Sequence, residues 1–142
     1  MTYTTQAILA ERFGERSLVD LTDRAVPATG VVDADVIDRA LADADAVIDG
    51  YLKGRYSLPL SETPPLLVDI ASAIAFYKLH VRSPDEKVKD DYNDALAKLK
   101  DISRGVIRLP VEGIEPAASG DAGVRTTDRE RPLTPENLKG FI

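Results

Sequence analysis

Residues 66–79 constrain this chain more than any other stretch, because Leu66, Leu67, Ile70, Ala71, Ile74, Ala75, Phe76, Tyr77 and Leu79 leave almost no polar side on a helix. A helix that is apolar over most of its circumference is stable only when other elements surround it. The stretch falls short of the roughly 20 apolar residues that span a bilayer. The rest of the chain must therefore wrap it, and residues 66–79 are expected to form the most buried helix. Thr63 as cap with Pro64 at the first helical position predicts its start, and the pattern carries it to about residue 81.

A second helix is predicted from about residue 34 to about residue 53. Asp33 is a good N-cap and Asp35 complements the dipole of the first turn. Val36, Ile37, Ala40, Leu41, Ala44, Val47, Ile48, Tyr51 and Leu52 follow a 3.6-residue period. The opposite side carries a mainly acidic stripe that includes Asp35, Asp38, Asp43, Asp45 and Asp49. A carboxylate near a helix C-terminus opposes the macrodipole, so Asp49 is not explained by helix stability.

Ser83-Pro84-Asp85-Glu86 has the form of a capping box with proline at the first helical position and predicts a helix from residue 84 to about 104. Its seam is Val88, Tyr92, Ala95, Leu96, Leu99 and Ile102, and Gly105 ends it. A short helix starting near Thr5, with Ile8, Leu9 and Phe13 on one side and Gly14 as a left-handed cap, and another turn or two over residues 15–21 precede the loop of Pro27 and Gly30. Residues 106–110 look extended and could pair with residues 56–60. The fold class is therefore mainly α, a compact bundle of about four to five helices with a short extended or β element. From Val111 onward Gly, Pro, Ser and charges dominate without apolar period, so residues 1–110 read as one helical domain and residues 111–142 as a long extended C-terminal arm. Leu133, Leu138, Phe141 and Ile142 are sparse apolar anchors suited to docking on a partner.

Composition narrows the function classes. The net charge of -6 disfavours a broad phosphate-neutralising face. With no cysteine there is no disulfide, thiolate metal site or cysteine nucleophile. The N-terminal residues lack the basic and apolar regions of a signal peptide, so the chain is expected to fold in the cytoplasm. Asp35-x-x-Asp38 and Asp91-x-x-Asp94 could in principle hold Mg²⁺, yet solvated acidic faces are the commoner use of such pairs. The single histidine, His80, sits at a helix end beside Arg82, where a cation is favoured by the dipole without any catalytic role. No phosphate-binding glycine loop, nucleophile elbow or zinc spacing occurs. No enzyme activity, metal or cofactor is expected.

Residues 48–60 join the acidic helix to the buried one. Gly50 and Gly54 favour fraying or a turn near Gly54, and Leu58 before Pro59 is biased towards an extended conformation. Tyr51, Lys53, Arg55 and Tyr56 interleave rings and cations as single-strand nucleic-acid binders do, although packing and helix capping account for them more simply. Arg55, whose guanidinium forks onto carboxylates, is the best candidate for an ion pair within the fold or across subunits.

Tyr3-Thr4-Thr5 with Arg12-Phe13-Gly14-Glu15-Arg16, Ile48-Asp49-Gly50-Tyr51-Leu52 with Arg55-Tyr56-x-Leu58-Pro59-Leu60, and the closing Leu138-Lys139-Gly140-Phe141 resemble a small Mu-like phage and prophage family. The resemblance covers the chain to about Pro110 and then the last few residues. It implies a head-tail connector, a neck adaptor that forms a homo-oligomeric, dodecameric ring beneath the portal of a tailed-phage capsid, in the virion and without membrane contact. It also implies that the arm reaches a neighbouring subunit, the portal or the next neck or tail protein. On that reading Arg55, Tyr56, Leu133, Leu138, Phe141 and Ile142 are subunit or partner contacts, and Asp35, Asp38, Asp43, Asp45 and Asp49 could line a channel past which packaged DNA slides. The alternative is an acidic module that mimics DNA and inhibits a nucleic-acid enzyme.

Overall fold

The structure, a computed structural model, describes residues 1–111. Five helices follow in order: α1 (Gln6–Phe13), α2 (Glu15–Thr22), α3 (Ala34–Leu52), α4 (Pro65–Leu79) and α5 (Glu86–Arg104). The fold is mainly α, and among the described residues no strand forms.

The apolar circumference of α4 places it at the centre. It packs on α3, α5 and α1, while α1 also lies against α2. Leu67, Ile70, Ala71, Ile74, Ala75 and Leu79 of α4 are buried, joined by Ile37, Ala44, Ile48 and Leu52 of α3 and Leu99 and Ile102 of α5. Fully burying one such aliphatic side chain contributes about 1.5–3 kcal/mol, so this cluster dominates the fold. Around it, Phe13 stacks on Phe76 with centroids 3.9 Å apart, and Tyr77 stacks on Tyr92 at the same separation. Arg12 Nη1 lies 3.0 Å and Lys98 Nζ 3.6 Å from the Asp69 carboxylate, a solvent-exposed link between α1, α4 and α5. Its contribution is at most about 1 kcal/mol.

Helix ends follow local chemistry, with three corrections. Thr5 caps α1 by accepting the Ile8 N–H at 3.3 Å, and Asp33 caps α3 by accepting from Asp35 and Val36. Gly14 closes α1 at φ 88, ψ 139, a positive φ but not the left-handed helical cap anticipated. At α4 the start is one residue later than predicted: Pro64 is the cap and Pro65 the first helical residue, and the helix stops at Leu79. The capping box at residues 83–86 does not form either. Asp85 takes the cap position of α5 at ψ 150 without a side-chain bond, so Pro84 lies outside the helix.

Among the described residues the anticipated strand pairing of residues 106–110 with residues 56–60 does not form, and a side-chain bond joins the two segments instead. The Leu109 N–H donates to the Tyr56 hydroxyl at 3.1 Å, in a buried position. Pro59 and Pro110 remove backbone donors that a ladder would use. The Leu58–Pro59 and Val26–Pro27 peptide bonds are cis. The loop between α2 and α3 is tied by Asp23, whose carboxylate accepts the Gly30 N–H at 2.7 Å and the Thr29 hydroxyl at 3.1 Å. These donors hold its carboxyl below the usual range.

Candidate functional site

The acidic stripe of α3 divides into two sets with different surroundings. Asp35, Asp38 and Asp43 are exposed, whereas Asp45 and Asp49 are half-buried beneath the N-terminal segment. The Tyr3 N–H donates to Asp45 Oδ1 at 3.0 Å and the Tyr3 hydroxyl to Asp49 Oδ1 at 2.5 Å. Residues four apart on a helix share a face, so one tyrosine can bridge both carboxylates. Tyr3 is 1% exposed and Thr4 equally buried, the latter sharing a 3.0 Å hydrogen bond with Ser72 of α4. Ser72 in turn donates to the Val68 carbonyl. The N-terminal segment is therefore a latch that clips α3 to α4.

Electrostatics at the latch follow from this burial. Desolvation first, then the hydrogen bond and charge of Asp49, push the Tyr3 phenol well above its ordinary value, so it stays a donor. Desolvation also raises Asp45, against the Tyr3 N–H and the N-terminal ammonium, which both lower it. The position of Asp49 against the helix dipole, unexplained by the helix alone, is accounted for by the hydroxyl it accepts.

At the C-terminal end of α3, Arg55 and Tyr56 turn inwards. Tyr56 is 4% exposed and holds the chain leaving α5 through Leu109. The Arg55 guanidinium lies against Gly105, so closely that a Cβ built there would come within 2.5 Å of its central carbon. Gly105 has φ +79 and caps α5 in the left-handed conformation, its N–H shared by the Asp101 and Ile102 carbonyls. A cation over the negative end of a helix is favourable. Arg55 thus bridges the ends of α3 and α5.

Tyr51 has a different setting. With Ala46, Val47 and Gly50 of α3 it faces Tyr92 and Leu96 of α5 across an open apolar groove of about 400 Å³. A second, polar groove lies between α1, α4 and α5, lined by Arg12, Asp69, Asp91, Asp94 and Lys98 among others. Asp91 pairs there with Lys87 at 2.9 Å. Among the described residues no group of three or more His, Asp or Glu is arranged to hold a metal ion. His80 uses Nδ1–H to donate to the Phe76 carbonyl at 2.8 Å and sits edge-on to the Phe76 ring, which engages it in closing α4. Among the described residues no helix is long and apolar enough to cross a membrane. Leu133, Leu138, Phe141 and Ile142, and the arm of residues 111–142 beyond Val111, lie outside the described residues.

Tyr3, Ser72 and Gly105 are the structurally telling residues that pattern reading did not single out as partners. The signal for the first was available in Asp49, a carboxylate unfavourable to its own helix. For Gly105 only the helix stop was legible, because Arg55 lies far away in sequence.

Residues 3–127 match the family described as Bacteriophage Mu, Gp36. Gene product J of Escherichia phage Mu is 32% identical to this chain over 142 residues, 100% of both chains. The Mu-like prophage FluMu protein gp36 of Haemophilus influenzae is 29% identical over 117 residues, covering 82% of this chain and 83% of the relative. The matched region contains the latch, the Arg12-Phe13 docking on α4 and the Arg55–Gly105 junction, which are the residues that tie the helices together.

Proposed function

Because this chain belongs to the Bacteriophage Mu Gp36 family, we propose that it is a structural protein of the phage particle: a head-tail connector that forms a homo-oligomeric ring in the neck, between the portal and the tail or next neck protein. The observation that carries this reading is the end-to-end similarity to gene product J of phage Mu. What supports it from the geometry is the use of the family motifs: Tyr3, Thr4, Arg12, Phe13, Asp49 and Tyr56 are all engaged in holding helices together. The reading is non-catalytic, with no cofactor.

In such a ring the solvated carboxylates Asp35, Asp38 and Asp43 are the ones available to face passing DNA. Asp45 and Asp49 belong to the latch. A DNA-mimicking inhibitor would need a continuous charged face, and the engagement of two of its carboxylates by Tyr3 weakens that alternative.

The test is genetic and structural together. A phage or prophage lacking this chain is expected to produce filled heads and complete tails that fail to join. Loss of head formation, or normal joined particles, would overturn the connector role.

A further inference from the structure

The apolar groove between α3 and α5 is not used by the latch or by the Arg55 junction. Val47, Tyr51, Tyr92 and Leu96 each pack partly against the core and keep the remainder of their surface along the groove. Taking the ring reading above as its basis, we propose that residues 133–142 of a neighbouring copy of this chain dock in this groove, with Leu138, Phe141 and Ile142 as the anchors.

The length and exit point of the chain favour this occupant. The last described residue, Val111, follows just after the Leu109 contact with Tyr56, near the C-terminal end of α3. Gly50 and Tyr51, at that same end of α3, line the groove, so a return to the groove of the same copy needs only a short connection. Residues 112–132 instead supply a spacer that reaches about 70 Å when extended. A domain of this size has a radius of gyration of about 13 Å, so that spacer spans to the groove of an adjacent subunit.

Anchor spacing and charge agree with the groove. Leu138, Phe141 and Ile142 stand at i, i+3 and i+4, the pattern by which a helix presents one apolar face to a groove between two helices. Asp43 lies one turn before Val47 on α3 and Lys89 three residues before Tyr92 on α5, and both are exposed. Glu136 and Lys139 flank Leu138, which offers one charge of opposite sign to each wall. Docking of each arm on the next subunit is a heterologous contact, the kind that closes into a ring, and repeated arms add avidity.

The chain contains no cysteine, so introduced thiols are unique. Full-length Ala46→Cys and full-length Asn137→Cys chains, mixed and oxidised, are expected to give a disulfide-linked dimer, and Asn137→Cys leaves all three anchors in place. The yield should be about ten times that from Asn137→Cys mixed with Glu11→Cys, whose exposed position is on α1, because docking raises local concentration. Far-ultraviolet circular dichroism verifies that each variant is folded, and light scattering gives the assembled mass of the same samples. Equal yields from the two mixtures would overturn the proposal. An internally closed Ala46→Cys/Asn137→Cys chain without mixed dimer would place the arm in its own groove and overturn docking between copies. A ring mass without any link rejects the groove and leaves the ring, whereas a monomeric mass without any link rejects both.

Discussion

Replacing Tyr3 by phenylalanine removes one hydroxyl from the latch and leaves the ring buried, which isolates the hydrogen bond to Asp49. A hydrogen bond to a charged acceptor contributes about 1.5–3 kcal/mol. Asp49 is half-buried and water can reach it once the hydroxyl is gone, so the lower end, about 1.5 kcal/mol, is expected. That loss corresponds to a fall in Tm of roughly 5–7 °C for a domain of this size. Urea unfolding followed by circular dichroism should show a lower midpoint with an unchanged slope. A pH series supplies a second readout. The folded-state pKa of Tyr3 is raised above the unfolded value near 10. The phenol's contribution is therefore complete below pH 10 and is lost as pH rises through the folded value. Wild type should lose more stability than Tyr3→Phe on going from pH 9 to pH 11. A loss below about 0.5 kcal/mol at pH 7, the scale of an ordinary surface substitution, together with identical alkaline profiles, would refute the latch.

Gly105→Ala should destabilise by about 1–2 kcal/mol from the left-handed conformation alone, with a further loss because the new Cβ meets the Arg55 guanidinium. Combining it with Arg55→Ala should give a smaller loss than the sum of the two single changes, measured as a double-mutant cycle in urea. Tyr56→Phe strands the buried Leu109 N–H and should cost about 1–3 kcal/mol, read by the same unfolding assay. For Asp45 the folded pKa is raised, so protonated Asp45 favours folding and that contribution is lost as pH rises through the folded value. Asp45→Asn, which can still accept the Tyr3 N–H, should be at least as stable as wild type at pH 7 and remove this part of the acid pH dependence. A large destabilisation of Asp45→Asn at pH 7 would show that the charge itself supports the latch.

The helices were legible because their apolar periods are long and consistent. Residues 66–79 identified the central element from composition alone, and Asp33, Thr5 and Gly105 marked ends correctly through local capping chemistry. The errors lie where local signals competed. Two successive prolines at Pro64 and Pro65 gave two possible first positions for α4, and because Pro65 pushes the residue before it from helical geometry, Pro64 is extended and Pro65 is the first helical residue. Ser83-x-x-Glu86 had the residues of a capping box, but the structure places Asp85 at the cap of α5. Val106-Ile107-Arg108-Leu109 resembled a strand, and the structure uses the Val106 and Ile107 N–H groups on the Asp101 carbonyl and the Leu109 N–H on a tyrosine hydroxyl instead of a ladder.

The candidate site was legible only in part, for a physical reason. Amphipathic patterning reports which side of a helix is wet, and it gave Asp35 through Asp49 as one face. It does not report what an extended segment elsewhere in the chain lays over that face. Tyr3 covers Asp45 and Asp49 from more than forty positions away, and Arg55 meets Gly105 across a comparable separation. Residues so far apart are joined by tertiary packing, which a one-dimensional period cannot encode.

The connector role is tested most directly by electron microscopy of this chain assembled with its portal protein. The account predicts a closed ring of identical copies seated on the tail-facing side of the portal, with Asp35, Asp38 and Asp43 towards the lumen. A chain that does not bind the portal, or that binds as isolated copies without ring symmetry, would contradict it.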